Sequence, residues 1–317
     1  MIFVIFIAAA LVVIFAAIQL NKYGDVISQK STWSGAMVGT LLIGGATSLP
    51  ELTTSLTAVY IDNADIAVGN MLGSNVFNVL ILMVFDFIYR KQKVFDTVDR
   101  STHVPIAYTG LVMTALLAVA LLWQSAPGLF NVGIEMYLLV IIYIIVMRQT
   151  GGAEDEAEEP TSSLSLNQAI ARFIIAALFV FIAGSALAIY GDLIAKETGM
   201  SSSFVGSFLI AASTSLPELV TVLAAFRIMN YSLALGSIFG SNLFNLQLLV
   251  ITDAFYREGA ILNAASASNV TVAFLGIAMI ALSIFAMQRK SAKHVGVYAI
   301  PSALTIVLYF ASTYLMF

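Results

Sequence analysis

The chain has 317 residues, of which 60% are hydrophobic and only 10% are charged, and its mean hydropathy is +0.96. A water-soluble globule of this length needs far more polar surface, so the composition predicts a protein that resides in a lipid bilayer. The net charge is −4, cysteine is absent, and no GxxxxGK[ST] loop occurs, which excludes disulfides, thiol chemistry and a Walker-type ATP site. We expect no nucleic-acid partner and no organic cofactor.

Apolar stretches that can cross about 30 Å of hydrocarbon recur along the chain and predict about ten transmembrane helices. They cover residues 1–20, 33–60, 66–89, 104–123, 131–147, 169–190, 203–226, 231–255, 269–287 and 295–316. The first stretch has no basic n-region, so we interpret it as a retained helix and not as a cleaved signal peptide. The predicted fold is therefore an all-α polytopic membrane protein.

The segment from Gly39 to Asn78 recurs without a gap from Gly206 to Asn245. Glu51, for example, reappears 167 positions later as Glu218. Each half then holds five predicted helices, and because five is odd, the second half must enter the membrane from the opposite side. We predict two inverted repeats, at 1–147 with the motif at 39–78 and at 169–317 with the motif at 206–245, joined by a linker at 148–168.

Basic residues in the predicted loops indicate the orientation of the chain. Only Lys196 and Arg257 lie on one side, and the other Lys and Arg residues assigned to loops lie opposite. The positive-inside rule therefore predicts that both termini are extracellular, in a prokaryotic plasma membrane. The cytoplasmic linker carries an acidic cluster at 154–159, which we interpret as a solvated flexible connector, since it lacks the alternating ligands of a calcium loop.

Glu51 and Glu218 lie well inside predicted spans, where a carboxylate costs on the order of 3 kcal/mol on insertion scales. Each follows a proline, which breaks the helix and leaves the carbonyl four residues earlier without its usual donor. Freed carbonyls at this depth are tolerated where they line a cavity, and there they can bind cations. No Lys or Arg lies deep in the same spans, so a cation is expected to neutralise the two glutamates.

Further oxygen ligands accompany the two glutamates. Thr47, Ser48 and Thr54 share the helical face of Glu51, and Thr214, Ser215 and Thr221 repeat this arrangement around Glu218. The next helix of each repeat adds Ser74, Asn75 and Asn78, or Ser241, Asn242 and Asn245. Calcium takes six to eight such oxygens.

For the hydroxyl groups, hydrogen bonding between helices remains an open alternative to ion binding. The glycines Gly69, Gly73, Gly236 and Gly240 favour close helix packing.

The remaining polar residues in or near the spans receive structural interpretations. We predict that Asp86 and Asp253 form i,i+4 ion pairs with Arg90 and Arg257. Glu135 is expected to stabilise the start of its helix through the helix dipole. The two histidines, His103 and His294, are expected at solvated helix edges and not at a zinc site.

The motifs A-T-S-L-P-E with G-S-N-V-F-N, and S-T-S-L-P-E with G-S-N-L-F-N, resemble the two alpha repeats of the cation/calcium exchanger superfamily. The resemblance covers essentially the whole chain, although Ala46 and Ser213 stand where glycine is usual. It implies a ten-helix exchanger with four ion sites around Glu51 and Glu218. The family's sodium-ligating hydroxyls would be Ser48, Ser74, Ser215 and Ser241, its calcium-ligating carbonyls would be those of Thr47 and Thr214, and Asn78 and Asn245 would fill the last positions.

The resemblance therefore implies a secondary antiporter in which sodium and calcium compete for one site during alternating access. Two asparagines, where many relatives have aspartate, resemble potassium-independent sodium/calcium exchangers. A proton/calcium antiporter of the same fold remains the alternative, since two close carboxylates can carry a proton. An intramembrane enzyme is disfavoured because no nucleophile–base pair accompanies the glutamates, and a channel is disfavoured because broken inverted helices suit a closed midplane site.

Overall fold

The structure is a computed structural model, and it describes residues 1–30, 45–124, 127–150, 164–290, 292 and 294–317. Part of the second predicted span (33–44) and most of the predicted linker (151–163) lie outside the described residues. The rest is almost entirely helical, which confirms the predicted class of a helical membrane protein.

The helices of the first half begin at the N-terminus and are separated by short turns. In chain order they are α1 (Ile2–Lys30), α2 (Leu49–Tyr60), α3 (Ala64–Ile88), α4 (Val94–Thr97), α5 (Arg100–Trp123) and α6 (Ile134–Thr150). A small antiparallel hairpin, β1 (Gly128–Leu129) with β2 (Val132–Gly133), joins α5 to α6 and pairs Gly128 with Gly133. The sequence patterns did not predict this hairpin, because two-residue strands are too short to show an alternating period.

The second half repeats this order of helices. It contains α7 (Leu166–Thr198), α8 (Ser202–Phe204), a π-helical segment (Val205–Ile210), α9 (Ala211–Thr214), α10 (Leu216–Arg227), α11 (Tyr231–Phe255), α12 (Ile261–Ala264), α13 (Ser268–Gln288), α14 (Val295–Tyr298) and α15 (Ile300–Met316). The bounds of α10, α11 and α12 match those of α2, α3 and α4 at the 167-residue offset. The duplication seen in the sequence is therefore also present in the secondary structure.

Two helices extend well beyond the apolar stretches that predicted them. α1 continues to Lys30 and α7 to Thr198, whereas the predicted spans end at 20 and 190. Hydropathy reports only the part of a helix that suits hydrocarbon, and the more polar residues that follow it belong to the same helix. α7 starts with a capping box between Ser165 and Gln168, which satisfies the first free N–H groups of the helix.

Among the described residues, six helices are long and apolar enough to cross a membrane, and a seventh span results if the bent pair Ser202–Thr214 and Leu216–Arg227 is counted as one. The chain is thus a multi-pass membrane protein. α3 lies at the centre of the molecule, because 78% of its most apolar window is buried, compared with 28% for α1. The burial places the G-S-N motif of α3 inside the protein, whereas most of the apolar window of α1 is exposed.

Close packing at the centre depends on glycine. A Cβ added to Gly73 of α3 would lie 2.2 Å from the backbone oxygen of Ser207, and one added to Gly206 would lie 2.9 Å from the backbone oxygen of Ile66. α3 and the π-helical segment therefore approach backbone to backbone, as small residues allow in membrane helices. The predicted packing role of Gly73 is confirmed by this contact.

The expectation of a solvated edge position is wrong for His103. This residue is 3% exposed, and its Nε2 lies 2.7 Å from the hydroxyl of Ser232 at the start of α11. The hydropathy pattern located His103 near a helix end, but it could not show that α11 covers this end of α5. His294 is exposed at the start of α14, as predicted.

Candidate ion site

The two helices in which a proline precedes a glutamate are broken next to that glutamate. The chain bends by 45° between α9 and α10, and Ser215 lies at the break with φ −90° and ψ 8°. Ser48 takes nearly the same backbone conformation, with φ −97° and ψ 11°, before α2. Because Pro50 and Pro217 have no N–H, neither can bond the carbonyl of the preceding turn. The predicted helix break is therefore confirmed, and it places Glu51 and Glu218 in the first turn of α2 and α10.

The two glutamates are buried, with exposures of 0% for Glu51 and 1% for Glu218. The hydroxyl of Ser215 donates to Oε1 of Glu51 across 3.3 Å, and the hydroxyl of Ser241 donates to Oε1 of Glu218 across 3.2 Å. Ser215 comes from the second repeat and Glu51 from the first, so the two motifs meet at one place. No described Lys, Arg or His forms an ion pair with either carboxylate.

The polar residues of both repeats face one another around these carboxylates. The hydroxyl oxygens of Ser48 and Ser241 lie 3.5 Å apart, and those of Ser74 and Thr214 lie 3.3 Å apart. All four of these side chains are at least nine-tenths buried. Thr47, at the same break, is only half-buried. The predicted ligand from this residue is its backbone carbonyl and not its side chain.

Asparagines from α3 and α11 form a reciprocal set of hydrogen bonds. The side-chain nitrogen of Asn75 donates to the backbone oxygen of Asn242, and that of Asn242 donates to the backbone oxygen of Asn75, both across 3.1 Å. Asn78 donates to Oδ1 of Asn242 across 3.0 Å, and Asn245 donates to Oδ1 of Asn75 across 3.1 Å. Each of these bonds therefore occurs twice, the second time between the repeat equivalents of the two residues in exchanged order. Such a reciprocal arrangement is typical of a two-fold relation.

Within this cluster, four buried oxygen atoms have no hydrogen-bond partner among the described residues. They are Oε2 of Glu51, Oε2 of Glu218, Oδ1 of Asn78 and Oδ1 of Asn245. Buried acceptors without donors are costly, and here they occur as two symmetry-related pairs. Oxygen atoms of carboxylates and amides are the ligands of hard cations such as calcium, so the arrangement can neutralise and hold a cation.

Asn70 belongs to this region although the sequence patterns did not single it out. It is fully buried, and its side-chain nitrogen donates to the backbone oxygen of Glu51 across 3.1 Å and to the hydroxyl of Ser55 across 2.9 Å. Thr214 donates to its Oδ1 across 3.3 Å. The repeat comparison missed Asn70 because its mate is Ser237. A polar residue one helical turn before Ser74 was the available signal.

Thr54 is not part of this cluster. Its hydroxyl donates to the backbone oxygen of Gly184 in α7 across 3.1 Å, and its mate Thr221 donates to Pro217 in its own helix across 3.2 Å. Sharing a helical face with Glu51 over one turn was therefore not sufficient to bring Thr54 to the site.

The predicted ion pairs of Asp86 and Asp253 are wrong. Asp86 accepts hydrogen bonds from the hydroxyls of Tyr298 and Ser302, and Asp253 accepts from the backbone N–H groups of Gly133 and Ile261. Neither pairs with the arginine four residues later among the described residues. Both aspartates are fully buried, and tertiary packing supplies donors that local helix spacing could not reveal.

Comparison with known proteins gives one consistent result. The model of the family "Sodium/calcium exchanger protein" matches residues 1–149 and 168–317. CaxA of Alkalimonas amylolytica is 27% identical to this chain, and the match covers 99% of this chain and 98% of CaxA. The sodium/calcium exchanger MaX1 of Methanosarcina acetivorans is 24% identical, and the match covers 74% of this chain and 77% of MaX1. The crystal structure of the H+/Ca2+ exchanger CAX has the same fold, with a TM-score of 0.67 at 14% identity over 99% of this chain and 88% of its own.

Proposed function

Since this chain belongs to the sodium/calcium exchanger protein family, we propose that it is a secondary antiporter that exchanges sodium for calcium across a membrane. The observation that carries the proposal is the set of four buried oxygens without donors, on Glu51, Glu218, Asn78 and Asn245. Two carboxylates balance the charge of one calcium ion, and the neutral amide and hydroxyl oxygens around them complete an oxygen-rich environment. Calcium and sodium are thus cargo, and the chain needs no organic cofactor.

The resemblance to the exchanger family supports the following ligand set for the proposed site. Glu51 and Glu218 provide the charge for calcium, and the backbone carbonyls of Thr47 and Thr214, which lie next to the helix breaks, are further ligands. The hydroxyls of four serines provide further oxygens for sodium, namely Ser48, Ser74, Ser215 and Ser241. Asn78 and Asn245 close the site. Because sodium and calcium use overlapping oxygens, occupancy by one excludes the other, which is the basis of exchange.

Reorientation of the site is proposed to require that its charge be neutralised. Two ionised glutamates in a low-dielectric interior without a cation are strongly unfavourable, so an empty site cannot cross the intermediate state. A site that holds calcium or sodium can reorient. The exchange also requires that the ions bind the inward-facing and outward-facing states with different affinities. The transport cycle then follows from the electrostatics of two residues.

The proposed architecture is ten transmembrane helices in two inverted five-helix repeats, at residues 1–147 and 169–317, with a cytoplasmic linker at 148–168. The reciprocal bonds of Asn75 and Asn242 support it, because a two-fold axis in the membrane plane is what relates inverted repeats. The basic loops support extracellular termini in a plasma membrane.

Coupling to sodium is proposed over coupling to protons because Asn78 and Asn245 cannot titrate. The specific observation for proton coupling is that Oε2 of both glutamates is buried without a hydrogen-bond donor, and a proton on that oxygen would remove the negative charge of the carboxylate. The fold is shared by the H+/Ca2+ exchanger CAX and supports both alternatives.

Calcium-45 uptake into proteoliposomes tests the proposal. Vesicles are loaded with sodium, potassium or choline at matched pH, and separately with a pH gradient and no sodium. The wild type is compared with Glu51→Gln and Glu218→Gln, and Glu197→Gln serves as the control because Glu197 is exposed at the end of α7.

Uptake that requires internal sodium, persists in Glu197→Gln and is lost in both site variants would support the proposal. Uptake that follows the pH gradient without sodium would replace it with proton/calcium antiport by the same site. Sodium-driven uptake that persists in the Glu51 and Glu218 variants would show that the ion binds elsewhere.

A further inference from the structure

A second pair of buried carboxyl groups lies away from the ion site, between the hairpin, α6 and α11. Glu135 is in the first turn of α6 and is 2% exposed, and Asp253 is near the end of α11 and fully buried. Asp253 accepts two hydrogen bonds, from the N–H of Gly133 across 2.8 Å and from the N–H of Ile261 across 2.6 Å. Both oxygens of Glu135 are buried and have no hydrogen-bond partner among the described residues.

The two carboxyl groups converge on Gly133. Its N–H bonds Oδ2 of Asp253, and a Cβ added to it would lie 2.1 Å from Oε1 and 2.6 Å from Cδ of Glu135. Since the nitrogen and the Cβ position belong to the same residue, Glu135 and Asp253 are neighbours. The carboxyl group of Glu135 fills the space that the missing side chain of Gly133 leaves free.

The repeat provides a direct comparison for this pair. At the 167-residue offset Asp253 corresponds to Asp86, and Glu135 corresponds to Ser302. Ser302 donates its hydroxyl hydrogen to Asp86. A glutamate at the equivalent position can be such a donor only when it is protonated, because an ionised carboxylate is an acceptor alone.

In the part of the chain that the structure describes, no positive charge near the pair could neutralise two carboxylates. Neither forms an ion pair in the described residues, and the hairpin and α12 carry no charged side chain. Arg257 and Glu258, which follow α11, are exposed, and the hydroxyl of Tyr137 in α6 is used by the backbone oxygen of Leu129. Burying two like charges without a counter-charge is strongly unfavourable.

A metal ion fits this pair poorly. Calcium takes six to eight oxygens, and two of the four carboxyl oxygens here already accept backbone N–H groups. A proton needs only one oxygen on each side. The smallest cation is therefore the one that the geometry accommodates.

We propose that Glu135 and Asp253 form a proton-binding site, in which Glu135 is a carboxylic acid that donates its hydrogen to the Asp253 carboxylate. The proton completes a connection from α6 through Asp253 to the hairpin and α12. When the proton leaves for solvent, two carboxylates face each other, and the connection between the hairpin and α11 weakens. This site is separate from the ion site and is not required for the proposed exchange.

Infrared difference spectroscopy of the purified protein tests the assignment at neutral pH. Subtracting the spectrum of Glu135→Gln from that of the wild type should leave one carboxylic-acid C=O band. The same band should move to a higher frequency in Asp253→Asn, because the acid of Glu135 then donates to a neutral amide oxygen and not to a carboxylate. Asp86→Asn is the matched control and should retain the band, since Asp86 already has two hydroxyl donors.

Thermal stability provides the second measurement. The folded wild type holds a proton that an unfolded glutamate releases above a pH of about 4.3, so raising the pH lowers the stability of the wild type relative to Glu135→Gln. The melting temperature of the wild type minus that of Glu135→Gln should therefore fall between a pH of about 5 and about 8.

Two results would overturn the proposal. One is an infrared difference without a carboxylic-acid band, or a band whose frequency is the same in Asp253→Asn as in the wild type. The other is a rise in melting temperature with calcium that persists in a Glu51→Gln, Glu218→Gln background and is lost on adding Glu135→Gln, which would assign a metal ion to the pair.

Discussion

The central helices of the two repeats behave alike, whereas the long first helices of the repeats, α1 and α7, do not. Asn75 of α3 and Asn242 of α11 make the same contacts in exchanged roles. α7, by contrast, bonds α2 and the turn after it through side chains that α1 does not possess. The symmetric part of the molecule is thus where ions are proposed to bind. The asymmetric part, in which α7 contacts α2, makes the surroundings of the two repeats different.

The contacts between α7 and α2 form a continuous polar seam. Thr54 donates to Gly184, and the hydroxyls of Thr57 and Ser185 lie 2.9 Å apart. Beyond them, Asn63 donates to Asp192 across 2.8 Å, and Lys196 contacts the same carboxylate at 2.7 Å. We call this set the α2–α7 seam.

The equivalent positions in α1 and α10 cannot build the same seam. Ser185 corresponds to Ile18, Thr57 to Ala224 and Lys196 to Gln29. Asp25, the mate of Asp192, is exposed. The polar seam is thus encoded in one repeat only, and sequence differences between the copies explain the structural difference.

Gly73→Ala should have the largest effect, because a Cβ at this position meets backbone atoms of Ser207 at 2.2 and 2.5 Å and no side-chain rotation relieves the contact. We expect a loss of about 1–3 kcal/mol of stability and little calcium uptake. Gly240→Ala is the matched control, since no described atom lies within 4 Å of its added Cβ. Melting curves of the purified variants that coincide would contradict the close contact.

Asn78→Asp and Asn245→Asp examine the symmetric core. Each asparagine donates to an amide oxygen, and an aspartate can do so only as the protonated acid. We expect sodium-driven uptake to fall about 10-fold and to become pH-dependent in both variants, by analogy with the loss on changing a metal site's supporting groups. A pH profile that changes in one variant but not in the other would show that the two positions are not equivalent.

Gly184→Ala perturbs the α2–α7 seam. The added Cβ would lie 2.3 Å from the hydroxyl oxygen of Thr53 and 3.2 Å from that of Thr54, so the side chain of Thr53 must move or the helices must separate. We expect a cost of about 1 kcal/mol and a several-fold slower uptake. Ala17→Gly makes the reciprocal exchange in α1, and an equal change in uptake there would contradict the asymmetry of the two helices.

Asp192→Asn should have the smallest effect. Lys196 is 70% exposed, so the ion pair itself contributes about 1 kcal/mol or less, and asparagine can still accept the hydrogen bond from Asn63. We expect the melting temperature to fall slightly, with a loss that shrinks as salt is added. Asp25→Asn should leave the melting temperature unchanged, and a larger loss there would place the more important contact in α1.

The sequence by itself determined the environment, the duplication and the identity of the two glutamates. Composition excluded water as the solvent, the 167-residue offset revealed the repeat, and Pro50 and Pro217 indicated where helices break. These properties depend on residue types and local spacing, which a sequence displays directly. That the ten proposed ligands bind sodium and calcium is still a prediction, which the transport experiments above address.

Only the tertiary structure decided which residues meet. The hydrogen bond of Ser215 to Glu51, the contacts of Asn70 and the donors of Asp86 join residues from separate helices, and helix spacing predicted arginine partners that the aspartates do not use. Glu135 and Asp253 are 118 positions apart in the chain, yet they share Gly133. Local periodicity orients a side chain around its own helix axis, but the partner it contacts depends on how distant helices pack, and packing is decided by the whole chain.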